Sequence, residues 1–155
     1  MTPTDHLRAL GACPSAIEWA ASYASREAAW AACDRPDRLL WYAGRVSGPP
    51  ESPSRRRLVG CLAECAHLAL PHYEGCYPDD RSVRDCLDLL GRHAAGDEAV
   101  TLAMMRAARA AARTAYASAY AADAADAARA ANREQVLAIV RRWYPQPPAV
   151  EGGAQ

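Results

Sequence analysis

Residues 112–131 read ARTAYASAYAADAADAARAA, and three readings of this stretch compete: a low-complexity tether, a membrane span and a packed helix. From Asp97 to Tyr144 the chain holds no glycine and no proline, and alanine, the strongest helix former, dominates it. Arg106, Arg109, Arg113, Tyr116, Tyr120, Asp123, Asp126, Arg129 and Arg133 recur mostly at intervals of three and four. On a helix they form one stripe beside nearly pure alanine faces, a period that a tether has no need of. A membrane span needs about 20 uninterrupted apolar residues, and the Arg and Asp of the stripe interrupt every window. The spacing predicts helix throughout 97–144. As one straight rod, roughly 47 residues would extend about 70 Å, whereas a compact chain of this size is roughly 40 Å across. A break is therefore expected, and Asp123 with Asp126, which resemble an N-cap and a first turn, place it at residues 121–124.

Upstream, shorter helices are announced by start signals. Ser15 and Glu18 have the spacing of a capping box, Ser25 precedes REAAWAAC, and Pro36 opens a helix that Gly44 is placed to end. Residues 46–54, VSGPPESPS, read as a linker between helical layers. Ser52 and Pro53 then open a helix with Leu58, Leu62, Cys65 and Ala69 on one stripe, and Pro71 is expected to stop it. PHYEGCYPDD reads as a compact loop before a helix ending between Gly91 and Gly96. Alternating strand patterns are missing. The fold expected is an all-α, single-domain helical bundle over 1–145, with short N-terminal helices, a long Ala-rich C-terminal helix and a flexible tail at 146–155.

With 155 residues, half of them apolar, one domain with one core is the natural solution. All 18 basic residues are arginine and balance 18 acidic ones; lysine and phenylalanine are absent, a bias that reads as GC-rich codon usage. Zero net charge argues against a dedicated nucleic-acid binder. That alternative would rest on Arg55, Arg56, Arg57, Arg106, Arg109, Arg113, Arg141 and Arg142. Asp5, His6, Arg8 and Glu18 interrupt any apolar leader at the start, so a cytoplasmic location is expected. There the six cysteines would be reduced thiols acting as small hydrophobes.

Chemistry-bearing groups are sparse. Cys61 and Cys65 share a helix face with His67, His72 and Cys76 close behind, but the spacing is not that of structural zinc knuckles, and no metal or cofactor is expected. His6, His67, His72 and His93 accompany no nucleophile motif, and phosphate-cradling glycine loops are missing, so no enzymatic activity is expected. Trp19, Trp30, Trp41 and Trp143 sit in helical apolar patterns and read as core. Two places read as partner-binding: the aromatic and acidic segment with Tyr73, Glu74, Tyr77, Asp79 and Asp80, and the stripe residues Arg113, Tyr116, Tyr120 and Asp123.

Several segments in order, EW at Glu18 and Trp19, EAAWAAC from Glu27 to Cys33, RLLWYAGR from Arg38 to Arg45, LVGCLAECA from Leu58 to Ala66, the Tyr/Ala/Asp-rich helix, and IVRRWYP from Ile139 to Pro145, resemble the Imm-5-like immunity proteins of bacteria and phages. The resemblance spans nearly the whole chain. It implies a small helical protein that neutralises a toxin by binding it, and it carries over no catalytic residues. A phage-encoded inhibitor of a bacterial defence system, in the manner of an anti-CRISPR protein, is the alternative of the same kind. In either case the partner is another protein, not a membrane.

Overall fold

The computed structural model describes residues 1–119 and 126–151, with only the helical backbone given for 111–119 and 126–131. Among the described residues the chain is all-helical and has no strand. The helices are α1 (Pro3–Ala9), α2 (Pro14–Ala20), α3 (Arg26–Ala32), α4 (Pro36–Val46), α5 (Pro53–His67), α6 (Leu70–Cys76), α7 (Ser82–Ala94), α8 (Leu102–Ala119) and α9 (Asp126–Trp143). They group into two compact units, one formed by Met1–Arg55 with Val140–Gln155 and the other by Arg56–Ile139.

In the first unit the helices are short and stopped by local chemistry. The Thr2 hydroxyl accepts the Asp5 N–H at 3.1 Å to start α1. Gly11, with φ of +75°, ends it: the N–H of Gly11 bonds to Arg8 and that of Ala12 to Leu7, a paired closure that requires a left-handed residue. Ser25 caps α3 as predicted, accepting the Ala28 N–H at 3.1 Å. The Ser15–Glu18 box does not form, because Pro14 begins α2 one residue earlier and leaves Ser15 inside the first turn. Nor does Gly44 end α4, which continues to the fully buried Val46; burying that side chain outweighs the roughly 1 kcal/mol cost of a helical glycine.

The core of this unit gathers on Trp30. Its indole N–H donates to the Tyr144 carbonyl at 3.0 Å, and its ring lies 5.9 Å from Tyr42 and 6.4 Å from Tyr144. Arg141 passes over the same indole at 6.0 Å and donates to the carbonyls of Ala31 at 3.0 Å and Cys33 at 2.8 Å, capping the end of α3. Of the tail expected to be flexible over 146–155, the described residues 146–151 are anchored: Pro147 is buried, the Glu151 N–H bonds to the Val46 carbonyl at 3.0 Å, and the Glu151 carboxylate accepts from Ser54. Arg55 donates to the carbonyls of Gly48 and Ser47, closing the α4–α5 turn.

Ser52 and Pro53 open α5 as predicted, Ser52 accepting the Arg55 N–H, and the helix continues into the second unit from Arg56. The buried face, however, is Leu58, Gly60, Cys61 and Ala63, whereas Leu62 is 42% exposed and Ala69 is exposed. The helix turns its small residues inward, where close approach is possible. Pro71 does not stop structure; it occupies the first turn of α6, where a missing N–H costs nothing. PHYEGCYPDD is therefore mostly helix, not loop.

The Ala-rich region departs from expectation at its start. Its described residues form two helices of 18 residues each, α8 and α9, and the break expected at 121–124 lies outside the described residues. Residues 97–101 are not helical. Gly96, with φ of +86°, closes α7 through its own bond to His93 and that of Asp97 to Arg92. Asp97 then accepts the Ala99 N–H, and Thr101 caps α8 at the Met104 N–H. Side-chain competition for backbone N–H groups breaks a run that propensity alone would continue. α8 packs along α7.

Two glycine substitutions separate these roles. Gly96→Ala lowers stability by about 1–2 kcal/mol through its left-handed backbone, whereas Gly91→Ala, inside α7 with open space at its Cβ position, raises it by about 0.5–1 kcal/mol. Urea denaturation midpoints moving in opposite directions check both.

Candidate functional site

The first unit contains a cleft of about 460 Å³. Four helices build it with the same spacing, i, i+3 and i+4, that puts three residues on one face: Pro3, His6 and Leu7 from α1; Ala16, Trp19 and Ala20 from α2; Arg26, Ala29 and Trp30 from α3; Arg38, Trp41 and Tyr42 from α4. Large rings alternate with alanines, so the rings cannot fill the space between the helices. Gly11 turns α1 back towards α2, which brings Cys13 to the edge. Trp30 and Tyr42 are buried, Trp19 is half-buried and Trp41 is 38% exposed.

Polar groups enter this apolar cleft at a few points. His6 Nε2 and the Tyr42 hydroxyl lie 2.9 Å apart, with their rings edge to face at 5.7 Å. The Arg26 guanidinium lies close enough to the same hydroxyl to act on it electrostatically. Burial and then the Arg26 charge hold the His6 imidazole below its ordinary pKa, while burial pushes the Tyr42 phenol up. Asp37 is held by Arg35 through two bonds of 2.9 and 2.8 Å, which keep its carboxyl below the usual range. Arg38 stacks over Trp19 at 5.6 Å and reaches the Ser15 carbonyl at 3.5 Å. It has no carboxylate partner among the described residues.

The residues expected to bind a partner lie elsewhere. Tyr73, Glu74, Tyr77 and Asp80 are brought together in the second unit, but they bond to each other and to α7. The buried Tyr73 hydroxyl donates to Asp80 at 2.8 Å, Asp80 accepts the Ser82 N–H at 2.8 Å, and Arg84 grips Glu74 through two bonds of 2.6 Å. The Tyr73 and Tyr77 rings pack at 5.2 Å. Only Asp79 is exposed among the acids of this group. Arg113 and Tyr116 fall on α8 where no side chain is described, and Tyr120 and Asp123 lie outside the described residues.

Among the described residues no group of three His, Cys, Asp or Glu side chains is placed to hold a metal ion. Cys61 is buried, His67 turns its Nδ1 to the Ala63 carbonyl at 2.8 Å, and His72 and Cys76 are exposed on α6. Among them, too, no helix is long and apolar enough to cross a membrane.

The cleft residues were visible in the sequence as tryptophans at helical spacing, a pattern that reads as core. The signal for a cleft was the company they keep: each of Trp19, Trp30 and Trp41 shares its helix face with alanine or arginine, not with leucine or isoleucine. Against protein-family models, curated proteins and solved structures, the chain has no match.

Two predictions follow the geometry. Asp80→Ala removes a cap and the Tyr73 partner and lowers the thermal midpoint, while Asp79→Ala leaves it unchanged; parallel melting curves check the contrast. For His6, the folded pKa lies below the unfolded one, so the unfolded chain binds more protons and the contribution to stability is full above the ordinary value of about 6.5. It is lost as pH falls from there through the folded value. Urea midpoints at about pH 7.5 and about pH 5.5 should differ, and should differ less in His6→Gln.

Proposed function

We propose that this protein is a non-enzymatic, protein-binding inhibitor of the immunity-protein kind, acting in the cytoplasm by occupying a toxin, with the cleft of the first unit as its capture site. The observation that supports this reading is Trp41, 38% exposed in an aromatic-walled cleft that Trp19 and Arg38 also line. A few tryptophans and arginines set in such pockets carry most of the energy of protein interfaces. An inhibitor of this kind needs complementary shape and charge and no reacting group. The ordered likeness to Imm-5-like proteins points the same way by resemblance alone. An inhibitor of a bacterial defence system would use the same surface, and the identity of the partner separates the two. Nucleic-acid binding is less well supported, because Arg55 and Arg141 direct their guanidinium groups at carbonyls of their own chain.

Co-expression with a toxin encoded beside its gene tests the reading. The chain should restore growth and form a stoichiometric complex with the toxin, and Trp41→Ala should weaken that complex at least about tenfold with an unchanged circular dichroism spectrum. Growth arrest that persists with the intact chain removes the reading, and full capture by Trp41→Ala removes the cleft from it.

A further inference from the structure

The lining of the cleft carries two guanidinium groups, Arg26 and Arg38, against one carboxylate, Asp37. The Tyr42 hydroxyl is engaged by His6 at 2.9 Å. Both oxygens of Asp37, the one carboxylate of the lining, are bonded to Arg35, so its charge is compensated from outside. Arg26 is accompanied by Glu27 at 3.2 Å, leaving Arg38 as the lining cation without a carboxylate. Arg38 is also fixed in direction, since its guanidinium lies against the Trp19 face and its tip meets the Ser15 carbonyl. The same cleft is lined by the rings of Trp19, Trp30 and Trp41 and by the small side chains of Ala16, Ala20 and Ala29.

A volume of about 460 Å³ is within the roughly 300–1,000 Å³ range of ligand-accepting clefts and admits an aromatic ring with neighbouring atoms. Resting on the protein-binding reading above, we propose that the occupant is an aromatic side chain of the partner protein with a carboxylate next to it in sequence. The ring enters between Trp19 and Trp41 and packs offset or edge-on against the indoles. The carboxylate meets Arg38, where a charge-assisted bond replaces water in a partly desolvated setting. A neutral amide forms a weaker bond there, and a cation meets Arg38 and Arg26 with like charge.

The test uses the full chain and three capped dipeptides, Ac-Phe-Glu-NH2, Ac-Phe-Gln-NH2 and Ac-Phe-Lys-NH2, read by tryptophan emission, to which the phenylalanine probes are silent. Three of the four tryptophans line the cleft. The Glu peptide should bind about tenfold more tightly than the Gln peptide, a step of about 1.4 kcal/mol, and the Lys peptide most weakly. Arg38→Gln should abolish the preference while leaving Gln-peptide binding unchanged, and Trp41→Ala should weaken all three, with Trp41→Phe restoring much of the loss. Equal binding of the three peptides, tightest binding of the Lys peptide, or no emission change with any of them overturns the proposed chemistry. If the Glu preference holds but Trp41→Ala still captures its toxin fully, the cleft is not where the partner docks and the proposal falls on that side. A Glu preference in a chain that protects against no toxin leaves the cleft chemistry standing and removes the inhibitor reading instead.

Discussion

The hydrogen bond from the Trp30 indole to the Tyr144 carbonyl joins residues 114 positions apart, and the first unit depends on it. α1, α2 and α3 have seven residues each, far below the length at which a helix holds its shape in water. They persist through tertiary packing, and the Trp30 ring of α3 is tied to the last turn of α9 and the residue after it. Arg141, one turn before Tyr144, adds the second half of the constraint by covering the indole and supplying donors to two carbonyls at the end of α3. Helix ends need such partners when they are buried.

The cleft is a consequence of how this unit is held. α3 is held at Trp30 and at its Ser25 cap and α1 at its Thr2 cap, while Ala16, Ala20 and Ala29 line the cleft. A leucine at Ala16, Ala20 or Ala29 would fill the space that the tryptophans leave. The one carboxylate of its lining is paired with Arg35, and the surplus is positive charge at Arg38. Shape and charge thus have separate origins: small residues make the room, and the pairing of Asp37 with Arg35 leaves the imbalance.

Much of the local structure was legible in the residues. Ser25, Ser52 with Pro53, Pro36 and Gly96 act where cap and turn chemistry places them, because each effect is confined to one turn of chain. Other readings missed for reasons that lie beyond that range. Pro71 can end one helix or begin the next, and only the burial of Leu70 and Tyr73 chooses the second. Gly44 could end α4, but Val46 is drawn into the core. Asp97 and Thr101 interrupt a run of high helix propensity by bonding to nearby N–H groups. The acids at Glu74 and Asp80, which looked free for a partner, are held by Arg84, Tyr73 and Ser82.

By itself the sequence determined that the chain is helical, where most helices begin, and that large aromatic rings alternate with small residues on their faces. Those follow from interactions between residues a few positions apart. Which aromatic rings are covered and which line an open cleft was decided only in the tertiary structure, since Trp30 and Trp41 occupy similar helical patterns and differ only in what packs against them. The same holds for the Arg38 charge: its significance comes from Arg35 holding Asp37, and from Trp19 lying beneath it on another helix.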